Sequence, residues 1–131
     1  MRERRGLVAV VDDEECIRKA LGRLLRSAGV EVAVFASGVE FLESFSTRRP
    51  DCVVLDLHMP IMDGFEVQAR LAKDDQPVPV IIITGYDSNE ARSRALAGRP
   101  TAYLRKPVND QTLLDAIELV LSRRSPSRNI T

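Results

Sequence analysis

The scarcities of this chain set its first limits: no formal net charge, a single histidine, two cysteines, no tryptophan, and no apolar run longer than a β-strand. A neutral chain is not a nucleic-acid binder working through its overall field, because such binding draws on an excess of Lys and Arg. Apolar runs of strand length leave no candidate membrane span, and the opening Met1-Arg-Glu-Arg-Arg has no apolar stretch behind it for secretion. Two distant cysteines, Cys16 on an expected helix and Cys52 opening an expected strand, read as reduced thiols of a cytoplasmic protein rather than a disulfide framework. One imidazole, His58, cannot furnish a histidine-rich metal centre. No internal repeat, low-complexity tract or linker interrupts the chain.

What is present suits one folded domain. The 131 residues are 44% apolar and 29% charged, which is ordinary for a globular unit with a real core. Neutrality hides a division: the terminal segments 1–5 and 122–131 are arginine-rich, leaving residues 6–121 at about −5. That balance fits a cation-attracting site, although solvated terminal arginines explain it equally. We read an N-terminal arm over 1–6, a domain over 7–122 and a polar tail over 123–131.

Five short apolar runs alternate with five amphipathic segments. Strands are expected at 7–11, 31–35, 52–55, 80–83 and 102–104, and helices at 14–28, 38–47, 64–73, 88–97 and 110–122. This alternation is the mark of a parallel sheet covered by helices on both faces, an α/β doubly wound fold. Near-continuous Val, Ile and Leu mark central strands, whereas Val30 to Phe35 alternates as an edge strand does. Ile17, Leu21, Leu25 and Ala28 share one helical face closed by Gly29, and Leu113, Ile117, Val120 and Leu121 share another. Ser37-x-x-Glu40 reads as a capping box, and Asp87-x-x-Glu90 as a similar one.

Four of the five strands end on one kind of polar group: Asp12-Asp13, Asp56, Thr84, and Lys106-Pro107. The C-terminal ends of parallel strands share one edge of the sheet, where such folds place their chemistry. Three carboxylates, a hydroxyl and an ammonium there describe a site for a divalent metal and a phosphoryl group. Asp56 is the natural nucleophile, able to form an acyl phosphate. A carboxylate attacking an anionic phosphate meets repulsion, which Mg²⁺ (or Mn²⁺ in its place) relieves. Lys106 supplies a fixed positive charge, and Thr84 a hydroxyl donor, for phosphoryl oxygens. Taken alone, Asp12 before a helix could equally be a cap.

The segment Asp56-Leu57-His58-Met59-Pro60-Ile61-Met62-Asp63-Gly64 follows D-x-x-M-P-x-M-D-G. With Asp12-Asp13, Thr84 and Lys106-Pro107, it resembles the receiver domain of bacterial two-component response regulators, from about Leu7 to Leu121. The resemblance implies a flavodoxin-like sheet of order 2-1-3-4-5 and phosphorylation of Asp56 by a histidine kinase or phosphotransfer protein. It implies a metal held by Asp13, Asp56 and the backbone carbonyl of His58, with Asp12 acting through water. It also implies a cis Lys106–Pro107 peptide and a switch in which Thr84 moves toward the phosphoryl group and Tyr103 rotates inward. That switch would bias the face built from the fourth helix, fifth strand and fifth helix, through which a downstream protein, or a phosphorylation-promoted homodimer, would be engaged. Without the switch, Tyr103 reads as a half-buried strand aromatic with a wet hydroxyl.

Two positions beside the site, His58 and Tyr86, are expected at its rim, shielding an acyl phosphate for minutes or longer. The turn Ala97-Gly98-Arg99-Pro100-Thr101-Ala102 departs from the family's usual Ala-Gly-Ala. Pro100 biases Arg99 away from helix, so the fourth helix should end by Gly98. The leading expectation is a stand-alone phosphoacceptor without direct nucleic-acid or membrane contact, assisting only its own phosphorylation and dephosphorylation. Competing readings are a receiver fragment of a DNA-binding transcriptional regulator, an aspartyl-phosphate phosphohydrolase, and a module that keeps only the fold. The phosphohydrolase would want a carboxylate where His58 stands and a cap for which the chain has no length.

Overall fold

The computed structural model describes residues 6–123. The expected arm and tail, apart from Gly6 and Arg123, lie outside the described residues. The elements run β1 (Leu7–Val11), α1 (Glu15–Ser27), β2 (Glu31–Phe35), α2 (Gly38–Phe45), β3 (Cys52–Asp56), α3 (Gly64–Leu71), β4 (Val80–Thr84), α4 (Asn89–Ala97), β5 (Ala102–Arg105) and α5 (Asp110–Ser122). All four strand pairs are parallel, in the order β2-β1-β3-β4-β5. The doubly wound sheet expected from the sequence is the sheet observed.

Alternation along each central strand divides the core between two faces. Val8, Val10, Val54, Ile81 and Ile83 pack with Leu21 and Leu25 of α1 and with Leu113, Ile117, Val120 and Leu121 of α5. Ala9, Val11, Val53, Leu55 and Ile82 pack with Phe41 of α2, Val67 and Leu71 of α3, and Ala95 of α4. Each fully buried Ile or Leu among these contributes roughly 2 kcal/mol of transfer free energy. β1, β3 and β4 are buried along their whole length, while β2 and β5 are the partly exposed edges.

Helix ends follow the sequence with two instructive differences. Gly29, at φ 84, closes α1 in the left-handed region. Ser37 caps α2 through its Oγ and the Glu40 N–H, while the Glu40 carboxylate accepts from Ala36 rather than from the cap residue itself. The cap of α4, however, is Ser88, whose Oγ accepts from the Ala91 N–H; Asp87 is turned elsewhere. At the other end of α4 the chain stops at Gly98, as expected, but Arg99 takes a left-handed conformation, φ 56, rather than an extended one. Gly98 is needed for space: a Cβ there would lie 2.4 Å from the Gln68 amide nitrogen. That buried amide donates to the Ala95 carbonyl at 2.9 Å and ties α3 to the last turn of α4. Ala95 is the one buried residue of α4.

Candidate functional site

The register of the parallel strands brings the polar residues level. Val11 pairs with Leu55, Asp56 with Ile83, and Thr84 with Arg105. Asp56 and Thr84 are themselves the last residues of β3 and β4, so both are held by the ladder rather than by a loop. Just past Asp56 the chain turns sharply to start α3. Gly64 donates to the Leu57 carbonyl at 2.8 Å, and a Cβ on Gly64 would lie 2.3 Å from the Asp56 carbonyl oxygen. The glycine of the motif thus permits α3 to start against the backbone of Asp56's own strand.

Asp12, Asp13 and Asp56 come together, with one carboxylate oxygen from each lying within 4.8 Å of the others. Asp12 and Asp56 are buried and Asp13 is exposed. Lys106 points into the same cluster: its Nζ is 2.9 Å from Asp12 Oδ2, 3.0 Å from Glu14 Oε1 and 3.5 Å from Asp56 Oδ1. The Lys106–Pro107 peptide is cis. Asp12 is not the cap of α1: its Oδ1 accepts from the Glu14 N–H at 2.8 Å, but Glu14 is itself the residue before the helix, which has no side-chain cap. Its Oδ2 faces Lys106.

Burial pushes the Asp56 carboxyl up to about 7, with Asp12 adding repulsion; Lys106 and the His58 backbone N–H oppose this, and Asp13 adds to it. For Lys106, burial pulls downward, but contacts with Asp12 and Glu14 and the Asp56 charge prevail and hold the ammonium above its ordinary range. Two buried carboxylates and a third close by exceed what one ammonium compensates. Among the described residues, the buried Asp12 Oδ2 has no aligned hydrogen-bond partner, and Lys106 meets it as an ion pair. An all-oxygen donor set with an under-satisfied buried oxygen fits a hard divalent cation such as Mg²⁺.

Thr84 is buried, but its hydroxyl is engaged locally. It donates to the Tyr86 carbonyl at 2.9 Å and accepts from the Tyr86 N–H at 3.1 Å. No hydrogen bond joins it to Asp56 or Lys106 among the described residues. Tyr103, half-buried on β5, packs against the α2–α3–α4 side of the core. Its hydroxyl is not wet: it donates to Asp87 Oδ1 at 2.8 Å. His58 and Tyr86 lie together at the rim, rings 5.5 Å apart and edge-on, with His58 Nε2 3.3 Å from the Tyr86 carbonyl. The imidazole also meets Phe65 edge-on at 6.2 Å.

The sequence does not mark Glu14 or Gln68, and it marks Asp87 for a different role. Glu14 meets Lys106 across 92 residues, and its only sequence signal is that it follows the acidic pair. Asp87 was read as a cap. Gln68 lies mid-helix, where nothing local marks a buried amide.

Known proteins share this arrangement. A family model described as the response regulator receiver domain matches residues 8–118. Nodulation protein W of Bradyrhizobium diazoefficiens is 37% identical over 119 residues, covering 91% of this chain and 52% of that protein. Response regulator MprA of Mycobacterium sp. (strain KMS) is 37% identical with the same two coverages. The chain thus spans about half the length of these curated relatives. Among solved structures, a response regulator receiver protein from Burkholderia phymatum is 46% identical, with a TM-score of 0.79 over 92% of this chain and 98% of that one. With fold, motif order and family match in agreement, this chain belongs to the response regulator receiver domain family.

Proposed function

We propose that this domain is a phosphoacceptor of a two-component relay, phosphorylated on Asp56 by a histidine kinase or phosphotransfer protein. The observation that carries the reading is the buried Asp56 carboxylate, within 3.5 Å of the Lys106 ammonium and beside Asp12 and Asp13. An Asp56 oxygen attacks phosphorus, the bond from phosphorus to the donor's imidazole nitrogen breaks, and the product is an acyl phosphate. Asp13, Asp56 and the His58 carbonyl would hold Mg²⁺ or Mn²⁺, with Asp12 acting through water. The cation supplies charge neutralisation between the carboxylate and the incoming phosphate. Lys106, anchored by Asp12 and Glu14, is placed to take a phosphoryl oxygen. Thr84 donates to another once its hydroxyl leaves Tyr86. His58 and Tyr86 limit the approach of water.

Thr84 and Tyr103 then carry the change to the face of α4, β5 and α5, which meets a downstream protein or a second copy. The domain turns over no separate substrate; it assists its own phosphorylation and dephosphorylation. No helix among the described residues is long and apolar enough to cross a membrane, which accords with a cytoplasmic setting. A second reading, the regulatory part of a longer regulator with its own output domain, draws on the greater length of the curated relatives.

Incubation with Mg²⁺ and acetyl phosphate, followed by intact mass, tests the proposal. One added phosphoryl unit in the wild type and none in Asp56→Asn supports it; equal gain in both, or none in either, rejects it.

A further inference from the structure

Asp87 stands next to a residue tied to Thr84, yet its side chain serves a different element. Ser88 caps α4, which frees Asp87 to reach β5. Its Oδ1 accepts from the Tyr103 hydroxyl at 2.8 Å, and Oδ2 lies 3.4 Å from Arg105 Nη1. The Arg92 guanidinium, from α4, sits 5.6 Å from the Tyr103 ring centre. One carboxylate therefore gathers the loop after β4 and the strand β5, under a cation from α4. Its two contacts differ in weight. The Asp87 side chain is 19% exposed and that of Arg105 71%, so the ion pair is solvated and weak. The hydrogen bond from the half-buried tyrosine is the sheltered one, and it holds the Asp87 carboxyl below its usual range.

We propose that Asp87 is a latch for Tyr103, a positioning residue that makes the orientation of the Thr84 hydroxyl felt at the surface between α4 and β5. The inference rests on the phosphoacceptor reading and adds the piece that links its two switch residues. A hydroxyl has one proton to donate. At rest Thr84 gives it to the Tyr86 carbonyl and receives the Tyr86 N–H in return, which fixes the loop one residue before Asp87. A phosphoryl oxygen on Asp56 that accepts the Thr84 hydroxyl's hydrogen bond removes one of the two bonds between Thr84 and Tyr86. Asp87 shifts with the loop, the Tyr103 hydroxyl loses its acceptor, and the ring is free to turn. Conversely, while Asp87 holds Tyr103, the resting arrangement is favoured and phosphoryl binding works against it.

The chain contains only two tyrosines, so full-length protein labelled with 3-fluorotyrosine gives two ¹⁹F signals, assigned with Tyr86→Phe. Beryllofluoride with Mg²⁺ serves as the phosphoryl probe. The expected result is that Asp87→Ala moves the Tyr103 signal without beryllofluoride and lowers the half-saturating beryllofluoride concentration roughly fivefold. Asp87→Asn, which keeps an acceptor oxygen but no charge, restores most of the wild-type behaviour. Adding Tyr103→Phe to Asp87→Ala changes the half-saturation no further. A Tyr103 signal and half-saturation unchanged in Asp87→Ala overturn the proposal, as does an Asn variant that behaves like Ala. Should Asp87→Ala fail to fold by circular dichroism, Tyr103→Phe removes the same bond from its other end; its half-saturating beryllofluoride concentration should then fall by the same factor, and an unchanged value overturns the proposal. A wild type that neither binds beryllofluoride nor gains mass from acetyl phosphate refutes the phosphoacceptor reading, and the coupling to Thr84 with it. The resting Tyr103 signal then still decides the Asp87–Tyr103 latch.

Discussion

Replacing Asp56 by Asn should make the metal-free protein more stable, although it removes the proposed nucleophile. The folded protein raises the Asp56 carboxyl from 3.8 to about 7, first by burial and then by the Asp12 charge. Between those two values the folded state keeps a proton that the unfolded chain has released. Stability therefore falls as pH rises through that window and levels off above it. About three units correspond to roughly 4 kcal/mol at full effect. Water at the open edge and movement of the exposed Asp13 relax part of this, so about 2 kcal/mol is expected at pH 7.5. Urea denaturation in EDTA at a series of pH values from 5 to 8 measures it. Titrating groups away from the cluster contribute equally to both proteins, so the difference between wild type and Asp56→Asn reports Asp56 together with its coupling to Asp12, Asp13 and Lys106. That difference should grow with pH up to about 7 and shrink when Mg²⁺ replaces EDTA. A difference that is absent, constant across the series, or of opposite sign would refute the account of a charge-overloaded site.

Gly64→Ala places a methyl group 2.3 Å from the Asp56 carbonyl oxygen and 2.7 Å from the Leu57 Cα, both backbone. Loss of roughly 3 kcal/mol or more in denaturant unfolding is expected, and a variant within 0.5 kcal/mol of wild type would remove the steric argument. Lys106→Met should slow modification by acetyl phosphate about 100-fold or more, as loss of one preorganised oxyanion partner does; a rate within threefold of wild type contradicts that role. Tyr86→Ala strips the ring that stands edge-on to His58 and should shorten the life of the acyl phosphate severalfold, measured by mass after removal of donor. An unchanged decay, or a seconds-scale decay already in the wild type, counts against the shielding.

The strands, and the helices that bury a face, were legible in sequence because runs of β-branched residues and amphipathic repeats are local signals backed by the tertiary structure; α4, with Ala95 as its one buried residue, is marked instead by its cap residues and Gly98. The residues missed are those whose partners lie far along the chain. Asp87 and Ser88 are both good cap residues, and only the Tyr103 hydroxyl, sixteen residues on, decides between them. At Arg99, Pro100 discourages right-handed helix but leaves both extended and left-handed conformations open. The left-handed turn falls on Arg99, after a Gly98 whose space is limited by the Gln68 amide. The carboxylate cluster was readable because parallel register brings strand ends level whatever the helices do. The resting engagement of Thr84 with Tyr86 was not, since it depends on the path of one short loop.

The slender attachment of α4 has an evolutionary reading. Ala95 is its one buried residue, and the Gln68 amide and the ring contacts of Arg92 and Arg94 hold it to its neighbours, so most of its other side chains can be exchanged without touching the hydrophobic interior. Under the proposed function, recognition can drift quickly on this helix while the acidic centre stays fixed, and related chains can acquire separate audiences through substitutions that leave folding alone.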